Sequence, residues 1–319
     1  MAERIMVSVC CITYNQEKYI ANALDSFLNQ KTNFRYEIII HDDASTDGTV
    51  DIIKKYKKKY PDKIITIFEK ENQYSKNHNS VLNIVFSRAR GKYIALCEGD
   101  DGFCNSDKLQ LQFDIINNNS SISLVSHNNK VIDDNCNFIE DSVPYSKHKI
   151  TERDFLNNYY NSMHTSSMMF RKRDVINLPE YFNNALVGDL PLKMYLLSIG
   201  NCYHINKIMS FYRIGSIGSW SLSQKKDKSK LLNNFLGEID IYNSFNKETK
   251  YTYDCEIKNR ILNKKFNFYK DNGNLKEIKK VEYKDLYNKI SFKEKIKLYL
   301  KSNKIIYNVY LKLKYGKRC

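Results

Sequence analysis

The 319-residue sequence has only four prolines and 11 glycines and shows no internal repeat. With 42% apolar and 27% charged residues it is too apolar for a disordered chain and too irregular for a fibre. No run of about 18 uncharged apolar residues occurs, so a membrane-spanning helix is excluded on hydropathy. Residues 1–7 lead straight into a strand-like segment without the basic and apolar regions of a signal peptide, and residence in the cytosol is expected. The eight cysteines include no Cys-x-x-Cys pair, which argues against a zinc knuckle. In a reducing compartment they are expected to be free thiols, mostly packed. A Walker-type Gly-x-x-x-x-Gly-Lys is also missing.

What the sequence does have is positive charge, and it is unevenly placed. The net charge is +15. Residues 1–222 carry 26 Lys and Arg against 25 Asp and Glu, whereas residues 223–319 carry 25 against 11. A tail of this kind attracts polyanions such as nucleic acid, anionic lipid headgroups or acidic polysaccharide.

Along the chain, Met6 to Thr13 is a continuous apolar run, and Ile20, Leu24 and Phe27-Leu28 then follow at helical spacing. The unit recurs, with a strand over Tyr36 to Ile40, capping chemistry at Ser45-Thr46-Asp47, and an apolar helical face of Ile52-Ile53, Tyr56 and Tyr60. Further strands are expected over Ile64 to Phe68, Tyr93 to Cys97, Ile122 to Ser126 and Ser166 to Phe170. Helices are expected around Val81 to Phe86, Leu109 to Ile116 and Asp189 to Ile199. This alternation predicts a parallel sheet covered by helices on both faces. The lysines of residues 54–59 oppose the apolar stripe of their helix and read as a solvated face, not a nucleic-acid patch. Beyond Trp220 the strand-like runs stop. A catalytic domain over 1–222 and a basic helical extension over 223–319 are therefore expected.

In an open parallel sheet, ligands bind where the carboxyl ends of the strands meet. Asp42-Asp43 closes the second strand and Glu98-Gly99-Asp100-Asp101 closes the fourth. Taken singly, each pair reads as turn and cap chemistry. Together, at the ends of two strands of one sheet, they predict an oxygen-rich site for Mg²⁺ or Mn²⁺, because crowded carboxylates repel one another unless a cation neutralises them.

Three segments carry a resemblance to a known family: Val7 to Asn15, His41 to Thr49, and Arg90 to Asp101. Their order and spacing resemble the inverting family 2 glycosyltransferases with the GT-A fold, of the bacterial surface-polysaccharide type, over residues 5 to about 221. The resemblance implies an α/β architecture: a Rossmann-like, mostly parallel central sheet flanked by helices, to which the sequence pattern adds the C-terminal helical extension. It also implies nucleotide-sugar-binding roles. Tyr14 matches the position beside the base, and Asp43 matches the carboxylate that bonds it. Asp100 and Asp101 match the metal-binding acids, and Glu98 stands where the family more often has Asp. Val187-Gly188-Asp189 before a helix matches the catalytic acid pair with its first acid replaced by Gly188. Asp189 then becomes the base, and an ordinary helix cap is the bland alternative.

His164 resembles the acceptor-side lining, against a purely structural histidine. Arg213 fits either a diphosphate contact or a structural ion pair. Gly215 stands where many members carry a histidine, so that loop supplies no such ligand. The implied reaction moves a hexosyl or N-acetylhexosaminyl group from a nucleotide sugar, UDP-linked, to a hydroxyl of a glycan or lipid-linked glycan. Capsule or lipopolysaccharide synthesis is the implied setting.

In the tail, Phe292, Ile296, Tyr299-Leu300, Ile306, Val309-Tyr310 and Leu313 recur at helical spacing among lysines. Residues 291–318 thus read either as a basic amphipathic helix for an anionic membrane surface, at the inner face of the plasma membrane, or as helices packed with a solvated lysine face. A non-catalytic module that engages nucleic acid or membrane through this tail is the reading from another class.

Overall fold

The computed structural model describes residues 4–142, 147–159, 163–216 and 228–302. The chain divides into two compact units, 1–250 and 251–319. The first holds strands β1 (Ile5–Thr13), β2 (Arg35–Asp42), β3 (Ile64–Phe68), β4 (Tyr93–Glu98), β5 (Gly102–Phe103), β6 (Ile122–Ile132), β7 (Phe138–Asp141), β8 (Lys149–Ile150), β9 (Met169–Arg171) and β10 (Asn201–Arg213). Its helices are α1 (Ile20–Leu28), α2 (Thr49–Lys59), α3 (Gln73–Lys76), α4 (Ser80–Arg88), α5 (Lys108–Asn118), α6 (Glu152–Asp154), α7 (Glu180–Asn183), α8 (Asp189–Ser198) and α9 (Lys228–Glu248).

The strands form one sheet in the order β3-β2-β1-β4-β9-β6-β10-β5, with β7 beside β6 and β8 beside β10. Strands β3, β2, β1 and β4 are mutually parallel. Strand β9 runs antiparallel between β4 and β6, and β10 runs parallel to β6. Two reversals restore the original direction. The carboxyl ends of β1, β2, β4, β6 and β10 therefore lie along one edge. The sheet is mixed, which departs from the expected plain alternation because β5, β7, β8 and β9 pair antiparallel.

Strands β1, β2 and β4 read as apolar runs because both their faces are covered. Val7, Val9, Ile38, Ile40, Tyr93 and Ala95 share one core with Ile20, Leu24 and Phe27 of α1 and Ile53 of α2. The exposed Lys54, Lys55, Lys58 and Lys59 of α2 confirm its solvated face. The segment around Ser166 is a tight turn over Thr165–Ser167, and its strand begins only at Met169. Seven cysteines, 10, 11, 97, 104, 136, 202 and 255, are free thiols, four of them buried. Cys319 lies outside the described residues.

The second unit contains α10 (Asp254–Asp271), α11 (Leu275–Ile278), α12 (Lys284–Lys289) and α13 (Phe292–Ser302). Phe266, Ile278, Tyr283 and Leu298 form its small core. Gly273, at φ +68°, makes the left-handed turn between α10 and α11, a conformation that favours glycine. Among the described residues no helix is long and apolar enough to cross a membrane.

Candidate active site

A cavity of about 940 Å³ opens at the carboxyl edge of the sheet, and Tyr14, Asp43, Glu98, Asp100, His164, Asp189 and Arg213 all line it. Asp101 and Asp42 do not.

The loops after β1 and β2 are fastened to each other. Asn15, in the left-handed region at φ +52°, donates its backbone N–H to Ser45 Oγ at 2.8 Å and accepts the Thr46 N–H on Oδ1 at 2.8 Å. Tyr14 stands beside this clasp, 38% exposed, with its ring available to a planar ligand. Asp43 is nearly inaccessible. Its two oxygens accept the backbone N–H groups of Gln73 and Tyr74 at 2.7 and 3.0 Å, so the carboxylate also anchors α3. Asp42 points away from the cavity, its Oδ1 accepting the Ser45 N–H at 3.0 Å. The expected gathering of both pairs in one crevice therefore holds for Asp43 and fails for Asp42.

At the end of β4 the acids separate by direction. Glu98 and Asp100 face the cavity, whereas Asp101 is turned inward, its Oδ1 accepting the Arg213 N–H at 2.8 Å. Asp100 Oδ2 accepts from Ser216 Oγ at 2.6 Å. Between them Gly99 lets the strand end pass close to β1: a Cβ there would lie 2.4 Å from Gln16 Oε1 and 2.8 Å from Thr13 Oγ1. Burial, and then the charges of Asp100 and Asp189, push the Glu98 carboxyl up to about 8. Asp100 is raised by burial against the pull of Ser216, and Asp101 is raised well above the carboxylate range by burial and its two acidic neighbours.

Whether these residues suit a divalent cation rests on that chemistry. Glu98 and Asp100 offer hard oxygen donors on one wall, and their mutual repulsion is what a dication removes. Among the described residues no group of three or more His, Cys, Asp or Glu side chains could hold an ion alone. Two carboxylates suffice where substrate phosphates complete the shell, as Mg²⁺ sites commonly arrange it. Asp101 fits less well than expected. It supports Arg213 and leaves its buried Oδ2 without a partner.

Across the cavity, Asp189 opens α8 and its carboxylate is 38% exposed. Lys193 Nζ, one turn later, donates to Asp189 Oδ2 at 2.6 Å. Burial opposes the charge, but Lys193, the Leu190 amide and His164 outweigh it and hold the Asp189 carboxyl below its ordinary value. His164 stacks on Tyr212, ring centroids 4.4 Å apart. Burial and the nearby Lys193 lower its imidazole to about 4, so the ring is neutral at pH 7.

Arg213 ends β10, and its guanidinium is held by main chain. Its Nε donates to the Asp100 carbonyl at 3.0 Å, and Nη1 reaches the carbonyls of Asp133 and Asp134 at 3.0 and 3.3 Å. It also lies 4.8 Å from the Tyr19 ring. Of the two expected roles, the structural one is what these contacts display. Residues 211–213 belong to a strand and not to a closing loop. That loop's Ile217 to Ser221 lie outside the described residues, and Gly215, at φ +80°, carries no side chain toward the site.

Compared with known proteins, residues 8–177, more than half of the chain, match the family described as Glycosyl transferase family 2. The chain belongs to this family. An uncharacterized protein of Mycobacterium bovis is 33% identical over 219 residues, 67% of this chain and 60% of the relative. The chain thus spans about 60% of the length of that curated relative. Chondroitin synthase of Escherichia coli is 29% identical over 265 residues, 78% of this chain and 36% of that protein.

Two solved structures share the fold. Staphylococcus aureus TarS 1–349 in complex with UDP-GlcNAc aligns at TM-score 0.51 and 17% identity, over 83% of this chain and 81% of that one. The mannosyltransferase PcManGT of Pyrobaculum calidifontis, in complex with GDP-Man and Mn²⁺, aligns at 0.56 and 12%, over 99% and 89%. The family 2 chain accordingly has the expected GT-A-like architecture, a central sheet flanked by helices, with C-terminal helices.

The contacts of Arg90-Gly91 are those of scaffold residues. Buried Glu37 accepts the Arg90 backbone N–H at 2.7 Å and its guanidinium at 2.6 Å, while Gly91 N–H donates to Ser8 Oγ at 2.9 Å. Gly188, where the resemblance places the first acid of a pair, sits close to two side chains of neighbouring elements. A Cβ there would lie 2.5 Å from Leu82 Cδ1 and 2.7 Å from Asn79 Oδ1, so a larger residue must displace those two side-chain ends. Sequence reasoning missed Asn79, Lys193 and Glu238, all of which line the cavity. For Lys193 the signal was present: Asp189 and Lys193 stand at i and i+4 of one expected helix.

Proposed function

We propose that this chain transfers a sugar from a nucleoside-diphosphate sugar, UDP-linked, to a hydroxyl of a glycan or lipid-linked glycan, inverting the anomeric centre with a divalent cation's help. The observation that carries this reading is that Glu98 and Asp100 share one cavity with Asp189, an ionised carboxylate with only one oxygen held by Lys193. The volume, about 940 Å³, is in the range of sites that enclose ligands of this size. TarS in complex with UDP-GlcNAc and PcManGT with GDP-Man and Mn²⁺ support a nucleotide-sugar donor and a metal. Chondroitin synthase supports a polysaccharide product.

In this reading Tyr14 and Asp43 hold the base, and His164 with Tyr212 walls the acceptor side. Glu98 and Asp100, with Asp101 behind them, would hold Mn²⁺ or Mg²⁺ against the diphosphate. That ion would neutralise the charge developing on the leaving group. Asp189 takes the acceptor hydroxyl's proton as its oxygen attacks the anomeric carbon. One base on one face gives direct displacement and inversion. General-base help of this kind is worth roughly 10²–10⁴ in rate.

For the tail, the proposed partner is an anionic membrane surface. Phe292, Ile296 and Tyr299 are exposed at i, i+4 and i+7 of α13, with Lys293, Lys295, Lys297 and Lys301 around them. Residues 303–318 of that expected helix lie outside the described residues.

The test is UDP release from a panel of UDP-sugars with Mn²⁺. One donor hydrolysed above the others is expected, and Asp189→Asn should lose turnover roughly 10²-fold or more while retaining UDP binding. Wild-type silence across UDP and GDP donors, or full activity in Asp189→Asn, would overturn the reading.

A further inference from the structure

Lys193 is 2% exposed, deeper than the carboxylate it meets. Burying an ammonium is costly unless acceptors surround it. Its Nζ donates to Asp189 Oδ2 at 2.6 Å and to the Met163 carbonyl at 3.1 Å. Met163 immediately precedes His164, whose ring stacks on Tyr212. One ammonium thus fastens the first turn of α8 to the segment that brings His164 to the cavity. An exposed i, i+4 pair contributes little. This one lies with its cation inside the protein and its anion at the cavity surface.

Resting on the reading of Asp189 as base, we propose that Lys193 is a positioning residue for the transfer, fixing the Asp189 carboxylate by Oδ2 so that Oδ1 meets the acceptor hydroxyl. In the step itself the acceptor O–H bond breaks and its proton passes to Asp189. The acceptor oxygen bonds to the anomeric carbon, and the electron pair of the old C–O bond leaves with the diphosphate. Glu98 from the end of β4, Tyr74 from α3, His164 and Tyr212 also face Asp189 electrostatically. The Asp189 charge in turn helps to raise Glu98, and His164 is neutral at working pH. Among the described residues, Lys193 is the cation in hydrogen-bond contact with Asp189. The lysine therefore also keeps the carboxylate ionised against the cost of its burial.

The experiment measures UDP release by the full chain across pH 3–9, with water as acceptor, for wild type, Lys193→Met, Lys193→Arg and Asp189→Asn. A ¹³C-carboxyl NMR titration of Asp189, assigned with Asp189→Asn, runs alongside and needs no turnover. Lys193→Met should lower kcat at least tenfold with donor KM within twofold, and should raise the acid limb and the NMR midpoint by about 1–2 units. Lys193→Arg should restore the limb. If Lys193→Met does not fold, Lys193→Gln keeps a donor for Met163, removes the charge and reads the same midpoint. An unchanged limb and midpoint in the lysine variants, with Asp189→Asn inactive, would overturn the proposal and leave the base standing. An active Asp189→Asn would overturn both.

Discussion

His204 offers a quantitative test of how the sheet is built. It lies 1% exposed in β10, with Nδ1 2.8 Å from Ser126 Oγ and Nε2 2.7 Å from Asn128 Oδ1. The amide oxygen only accepts, so Nε2 carries the proton and Nδ1 accepts from the serine hydroxyl. Burial, and then His148, lower this imidazole from 6.5 to about 4. The unfolded chain therefore takes up a proton that the folded chain refuses. Stability from this site is full above pH 6.5 and is lost as pH falls through 6.5 toward 4. At pH 5 the loss is about 2 kcal/mol, from the ratio of the two binding polynomials at these pKa values.

The wild-type curve alone does not isolate this loss, because Glu98, raised to about 8, stabilises the fold as pH falls. The diagnostic is the difference between wild type and His204→Gln in urea denaturation at pH 7.5 and at pH 5. The gap between them should shift by about 2 kcal/mol in favour of the variant at pH 5. A gap that stays constant within error would refute the assigned burial and tautomer.

Other expectations follow from the same geometry. Gly188→Glu should lower the thermal midpoint by several degrees, through about 1–3 kcal/mol of overpacking against Leu82 and Asn79, without raising activity. Mn²⁺ with UDP should stabilise the chain by about 2.7 kcal/mol at a hundredfold excess over Kd in thermal-shift measurements, and Asp100→Asn should abolish the gain. Phe292→Glu with Ile296→Glu should weaken co-flotation of the full chain with phosphatidylglycerol vesicles, and equal recovery would remove the membrane reading of the tail.

The sheet's parallel half was legible because strands covered on both faces must be apolar throughout, and β3 matches its expected Ile64–Phe68. Strand β10 was not. Its sequence, Asn201 to Arg213, mixes polar and apolar residues without a clean period, and its pairing with β6 is interrupted by register shifts that a periodicity argument cannot follow. In the site, the motifs located loops that line the cavity, and the direction of each acid escaped them. Neighbouring residues at a strand end diverge, so Asp100 turns to the cavity while Asp101 turns to Arg213. The composition boundary near 222 marks a change of charge and pattern. Compactness follows contacts instead, and α9 stays with the first unit.

The contacts of Arg213 make its position intolerant in a particular way. Three carbonyls from two chain segments converge on the one planar fork. A lysine would bring equal charge yet only a single movable head, so it would leave main-chain oxygens stranded at the rim of the cavity.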